Sequence, residues 1–423
     1  MRNSGKWLLA ASCGTMLAAM SSLPSQAEPV TITWQSTSLS EKQFAPLAEE
    51  MIAEFEAENP DIKIKPILVA RKEDWTKFAT AAQAQKAPCI YRGDVTTAAY
   101  NGYLHPLDEF FEASGDDFKS VWPQDILSAV TFEGSLYALP VYAGIYAEIY
   151  NRDLVEAAGL DPEALPTTWD EYSQWMQKLT TDDQWGTAIL AGPTTTTTRT
   201  LLSWIYSNGG RAFNDDYTES LFSKDPKTVE AIKFYLGLAE KGVAAPGPAT
   251  INYAEQTTLF AQGKIASMRN AYWGLAKVLN DNPDLKGKLL VAWPPANTDQ
   301  PRTVAKITAE MISSSCEHPE QAWKFLQHIV SPKWQTRAML EANYMPLRTD
   351  VAEQPEIKND PVVAKFLEIG AVAKTIPAPT PVWADVAGKD VVQALQEALL
   401  EPERLTEILQ ELDETVTAKL NDL

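Results

Sequence analysis

The stretch that most constrains this chain is 30–69. Val30–Trp34 alternates apolar residues with Thr, which suits a strand. Gln35-Ser36-Thr37-Ser38 follows as a polar turn. Phe44, Leu47, Ala48, Met51, Ile52 and Phe55 then recur at helical spacing, with Ser40 and Gln43 at the spacing of a capping box. Pro46 bends this helix early or delays its start. Asn59-Pro60 stops it, and Ile62–Val69 returns as a strand. The order strand, helix, strand predicts a parallel pair joined by a right-handed crossover, hence an α/β fold. Ligands of such sheets lie outside the carboxyl ends of the strands. Gln35 and Ser36 sit at one such end, and Arg71 follows the second strand.

At 423 residues the chain is too long for one ordinary core and suits two lobes. Arg2 and Lys6, the apolar run Trp7–Met20 and Ser25-Gln26-Ala27 have the form of a signal peptide cut after Ala27. Export to the periplasm is the expectation. A membrane anchor is disfavoured because the run is broken by Ser12, Cys13 and Gly14. A lipid-anchored form cut before Cys13 is disfavoured because Ala10-Ala11-Ser12 lacks the usual leucine. The net charge of −20 argues against nucleic acid and anionic membranes. It also disfavours highly anionic ligands unless a local basic site overrides it. Cys89 and Cys316 remain after cleavage, and an oxidising compartment would allow them to pair. With His105, His318 and His328 the only histidines, and without CxxC, H-E-x-x-H, P-loop or G-x-S-x-G patterns, no metal or cofactor is expected.

Phe260–Gly274 carries the ligand chemistry. Gly263 ends a helix, Ile265–Met268 reads as a short strand, and Asn270, Tyr272 and Trp273 arrive at its end. An amide beside two rings suits a sugar: rings cover C–H patches and the amide bonds hydroxyls. The competing reading is that Trp273 is core. The stretch FAQGKIASMRNAYWG resembles the "F-x-x-G-K-x-A-M-x-x-x-G-x-W" signature of maltose-binding-type solute-binding proteins of ABC importers, nearest their trehalose/maltose and α-glucoside branch. Phe132–Trp169 resembles the same family more closely, through "Y-A-L-P", "Y-N-x-D-L", "A-G-L" and "T-W-D-E". So do Asp94 through Leu104-His105-Pro106-Leu107-Asp108, and His318–Leu326.

The resemblance implies a periplasmic-binding-protein-like α/β fold of two lobes joined by a three-segment hinge, with the ligand cleft between them. Lobe I would be 28–143 and 306–346, and lobe II 144–305 and 347–423. The crossings would lie near 143–147, 304–308 and 347–349. Tyr137–Val141 and Ile145–Tyr150 read as separate β-prone segments, split by Ala143-Gly144, whose small side chains tolerate hinge rotation. By resemblance Trp273 stacks on the sugar, Asp94 bonds its hydroxyls, Tyr142 sits at the cleft, and Trp383, after a proline-rich run, supplies a second ring. Helix capping by Asp94 and rim packing by Trp383 are the alternatives. The partners implied are a small carbohydrate and the membrane subunits of an ABC permease, with the protein monomeric.

Two departures alter the second set of sugar contacts. Ile376 stands where the α-glucoside branch often has Arg, and Lys306-Ile307-Thr308 replaces a Gly-Gly-Trp-like element. The ligand therefore stays open among glucosylglycerol, sucrose, trehalose and maltose. Gly192–Arg199, GPTTTTTR, reads as a cleft loop before a helix at Leu201–Ser207. Two rival functions stay open. A secreted glycoside hydrolase would need two carboxylates at a defined separation. A protein for glycerol phosphodiesters or another non-sugar solute would need a basic cluster in the cleft, to which Arg71 and Arg199 could contribute.

Overall fold

The computed structural model describes residues 28–298, 302–375 and 380–422. The expected signal peptide and Ile376–Pro379 fall outside them. The strands are β1 (Val30–Gln35), β2 (Ile62–Ile67), β3 (Ile90–Arg92), β4 (Thr131–Phe132), β5 (Ser135–Leu136), β6 (Ala138–Asn151), β7 (Ser267–Ala271), β8 (Leu289–Ala292), β9 (Val304–Ile312) and β10 (Lys374–Thr375). The main sheet runs β2-β1-β3-β9-β6-β7, with β10 beside β9 and β8 beside β6.

The β1–helix–β2 unit forms as its pattern predicts. β1 and β2 pair in parallel from Val30↔Ile62 to Gln35↔Ile67. The helix starts later than the Ser40/Gln43 pattern suggested. Ser40 closes a 3-10 turn, Thr37–Ser40, and the helix is Ala45–Glu58, with Pro46 in its first turn. Proline is tolerated there because those N–H groups lack helical partners anyway.

β6 is the strand around which the molecule is arranged. It is one continuous strand of 14 residues, not the two segments expected at Tyr137–Val141 and Ile145–Tyr150. Ala138–Ile145 pairs antiparallel with β9, while Tyr146–Asn151 pairs with β7 and β8. The irregularity falls at Pro140/Tyr142, where the register shifts, rather than at Gly144. Proline cannot donate to a ladder, so the bulge belongs there. Gly144 also serves packing: a Cβ on it would lie 1.6 Å from Cζ3 of Trp273.

Two buried ion pairs brace the sheet across directly opposed residues. Arg92 of β3 faces Glu310 of β9, with Nη2–Oε1 at 2.6 Å. Glu148 of β6 faces Arg269 of β7, with Nε–Oε2 at 3.0 Å, and Arg269 lies 3.3 Å over the Trp204 ring. Cys89 and Cys316 form a disulfide, with Cα atoms 4.5 Å apart. It ties the start of β3 to the segment leaving β9. Buried apolar residues make two clusters. One runs from Ile32, Phe55 and Leu326 to Met268 and Val278. The other collects Tyr150, Trp204, Ile232 and Leu409.

Among the helix ends, Thr168 and Glu171 close a reciprocal capping box, and Asn151 and Asp225 cap the helices after them. The threonine run is not a loop. The helix begins at Thr195 and continues to Ser207. Thr197 Oγ1 donates to the Gly192 carbonyl at 2.6 Å, and Thr198 Oγ1 to the Ala387 carbonyl at 2.7 Å. The first bond is local and the second tertiary, and together they offset the poor helix propensity of threonine. No helix of the described residues is long and apolar enough to cross a membrane.

Candidate functional site

A cavity of about 310 Å³ lies where the carboxyl ends of the first strands meet the junction of β6 and β9. That is the low end of the size range of small-molecule sites, about 300–1,000 Å³. Its walls come from four places. The turn after β1 gives Thr37, and the 3-10 turn Arg71–Glu73 with the helix Asp74–Gln83 gives Arg71, Asp74 and Trp75. β3 and the helix Val95–Tyr100 give Arg92, Asp94 and Thr97. The strand junction gives Tyr142, Lys306 and Thr308. The threonine helix gives Thr195 and Arg199, and the three-residue helix Trp383–Asp385 gives Trp383. A bond from Thr97 Oγ1 to the Pro381 carbonyl, 3.2 Å, joins two of these walls. A wider recess of about 460 Å³, at Thr258, Ala261, Gln262, Asp281 and Asn282, has no ring and no convergent set of charges.

Of the ligand residues singled out in the sequence, Arg71, Asp94, Tyr142, Arg199 and Trp383 line this cavity. The others lie behind or beside it. Gln35 is buried, and its Nε2 donates to Asp74 Oδ1 at 2.8 Å. Ser36 is buried and caps the turn through Ser38 N–H, 3.2 Å. Asn270 spends its amide internally: Nδ2 donates to Gln256 Oε1 at 3.0 Å, and Oδ1 accepts from Ala271 N–H at 2.8 Å. Tyr272 packs edge-on against Phe366, centroids 5.1 Å apart. Trp273 is the first residue of the helix Trp273–Asp281, half-buried, with its ring over Gly144. Gly144 is the β6 partner of Lys306, so Trp273 stands at the edge of the cavity's floor.

Asp94 caps its helix, its Oδ1 accepting from Thr97 N–H at 2.8 Å, and it also lines the cavity. Asp74 is held by Gln35 and by Tyr91, whose Oη donates to Oδ2 at 3.1 Å. Burial nonetheless pushes its carboxyl above the ordinary range. Tyr142 stacks on Tyr344 at 4.0 Å, and the Arg92 guanidinium lies 5.5 Å over its ring.

The residue that sequence reasoning passed over is Lys306. It replaces part of an element noted as a departure, and departures at a cleft are where ligand chemistry changes. Burial, reinforced by Arg199 and Arg71 and opposed by Asp94, pushes its amine down to about 7. Burial likewise lowers Arg199. Rings, hydroxyls, cations and a carboxylate thus converge on one enclosed space, the composition of a polar small-molecule site.

Residues 50–365 match the model of a family described as bacterial extracellular solute-binding proteins. A maltotriose-binding protein of Pyrococcus abyssi is 28% identical over 387 residues, covering 88% of this chain and 78% of that one. An arabinooligosaccharide-binding protein of Bacillus subtilis is 25% identical over 335 residues, covering 76% and 75%. The crystal structure of an ABC transporter solute-binding protein from Thermotoga lettingae, bound with α-D-tagatose, superposes with a TM-score of 0.83 at 26% identity. It covers 93% of this chain and all of that one.

Proposed function

The chain belongs to the bacterial extracellular solute-binding proteins, and from that premise we propose that it captures a carbohydrate outside the cytoplasmic membrane and hands it to an ABC permease. The observation that carries the reading is the cavity itself. Trp75, Tyr142 and Trp383 line it beside Asp94, Arg71, Arg199, Thr195 and Thr308. Ring faces cover sugar C–H patches, and charged and hydroxyl groups bond the rim of hydroxyls. Relatives named for maltotriose and arabinooligosaccharide, and a structural neighbour holding tagatose, support the same class. Family members of this kind bind and do not turn over their ligand, so a hydrolase is not favoured.

Capture works by closure. Arg71 and Asp94 enter the cavity from elements on the β1–β3 side. Arg199 and Trp383 enter from the helices packed on the other side of β6. A ligand touching both sets binds the closed form better and shifts the population toward it. β6 and β9 pass from one side to the other, so bending at 143–147 and 304–308 is the proposed hinge. For the third crossing, Thr349 N–H donates to the Val121 carbonyl at 3.0 Å. The helix Pro361–Gly370 lies further along, with Phe366 against Tyr272 and Glu368 accepting from Trp293. The proposed lobes are 28–143 with 306–346, and 144–305 with 347–423. Asn270, Tyr272 and Trp273 support the floor from behind or beside it, and Gln35 and Ser36 fix the first wall.

The test is a thermal-shift screen of the exported protein against mono-, di- and oligosaccharides, followed by calorimetry. A true ligand raises the melting midpoint in proportion to the logarithm of its excess over Kd, with no product formed. If no carbohydrate does so, or if sugars are cleaved, the reading is wrong.

A further inference from the structure

The cavity holds more cationic donors than its own carboxylates satisfy. Arg71, Arg92, Arg199 and Lys306 all line it, against Asp74 and Asp94. Two of the four are accounted for in part. Arg71 meets Glu41 at 3.1 Å on the exposed side, and Arg92 is paired with Glu310. Arg92 is nevertheless 5% exposed, and its Nη1 has no hydrogen-bond partner. Arg199 and Lys306 form no ion pair among the described residues. Asp94 is the one carboxylate that acts on both of them, and it spends one oxygen on the cap of its helix. Asp74 is turned to Gln35 and Tyr91. All this sits in a chain of net charge −20, so a cluster of cations is not what average composition supplies.

Leaving buried donors and charges unpaired is costly. The free protein tolerates it here in a cavity open to a ligand. Burial and the neighbouring guanidinium groups disfavour the ammonium form of Lys306, which an added negative charge would reverse. Guanidinium groups match carboxylate and phosphate oxygens in a fixed fork, and a lysine adds a point charge. Resting on the carbohydrate reading above, we infer that the ligand is an anionic carbohydrate, whose carboxylate or phosphate is received by Arg199 and Lys306, with Arg92 and Arg71 beside them. The rings at Trp75, Tyr142 and Trp383 cover its sugar face. The shared chemistry is an oxyanion on a sugar, and a uronate and a sugar phosphate are its two sources.

The experiment is calorimetry on the exported protein with three sets of probes at constant ionic strength. The first set is hexuronates and their oligomers. The second is hexose phosphates, and the third the neutral hexoses and oligosaccharides of matching stereochemistry. Inorganic phosphate and glycerol 3-phosphate are added as non-sugar anions. An acidic sugar is expected to bind about tenfold or more tighter than its neutral counterpart, the factor a charge-assisted hydrogen bond supplies. The uronate and phosphate arms show which source it is. Lys306→Met is expected to erase that preference while raising the melting midpoint of the ligand-free protein, since it removes a partly buried amine that has no ion-pair partner among the described residues. Arg199→Met, read by the same ratio, keeps the test decisive if Lys306→Met does not fold. If neutral sugars bind as tightly as acidic ones, or the ratio survives both substitutions, the inference is overturned and the carbohydrate reading stands. If only the non-sugar anions bind, the carbohydrate reading falls while the anion site survives. If nothing binds, both fall.

Discussion

Gly144 shows how one small residue can meet a demand that its neighbours in sequence do not reveal. In the sequence it stood for hinge freedom between two strands. In the structure it lies inside one strand, under the six-membered ring of Trp273. Gly144→Ala must therefore displace that ring or the strand, at a cost of about 1–3 kcal/mol for overpacking a filled site. Urea denaturation of the variant reads the cost directly. A midpoint equal to wild type would mean that Trp273 swings away freely. Arg269 and Glu148 make the opposite case. Local spacing marks neither of them, and burial of both is visible only when β6 and β7 are paired. Asp94 was legible as a cap, because a carboxylate preceding Val95-Thr96-Thr97 caps by local chemistry, and as a cavity-lining residue, because the strand before it ends there.

At the scale of elements, periodicity and caps were readable wherever local physics decided them. The helix Pro319–Ile329 buries Ala322, Phe325, Leu326 and Ile329, the stripe its spacing implies, and Leu405–Asn421 does the same with Leu409, Leu412 and Val416. The threonine helix was misread because its stability is partly tertiary: buried hydroxyls bonded to the Gly192 and Ala387 carbonyls. The disulfide belongs to this scale too. Cys89 and Cys316 are 227 residues apart in sequence and join the flanks of two adjacent strands. Cys89→Ser is expected to cost about 2–4 kcal/mol, within the usual range for losing a bridge across a long loop. Chemical denaturation of wild type with and without reductant should reproduce the loss, and should leave the variant unaffected by reductant. A reductant-insensitive wild type would show that the bridge contributes nothing.

For the whole molecule the consequential proposal is closure on the ligand. The cavity draws its walls from both sides of β6, and a bond from Thr97 to the Pro381 carbonyl spans it, the arrangement that the proposed closure would produce. Small-angle scattering is expected to show a larger radius of gyration for ligand-free protein than for protein saturated with a ligand from the screen. Identical radii would argue for a rigid cleft and against capture by hinge motion.

The sequence by itself determined the α/β class, the parallel opening unit, the Asp94 cap and the family, because each rests on spacing or on residues adjacent in the chain. It also marked Arg71, Asp94, Tyr142 and Trp383, which the tertiary structure brings to one cavity. Only the tertiary structure decided which way the remaining marked residues face. Asn270 turns its amide to Gln256, Gln35 turns its own to Asp74, and Tyr272 goes into the core beside Phe366. It alone assembled Arg92, Arg199 and Lys306 around a shared space. The reason is physical. Hydrogen-bond partners, burial and the fields between charges depend on distances between residues from 14 to 218 positions apart in the chain, and local spacing carries no information about them.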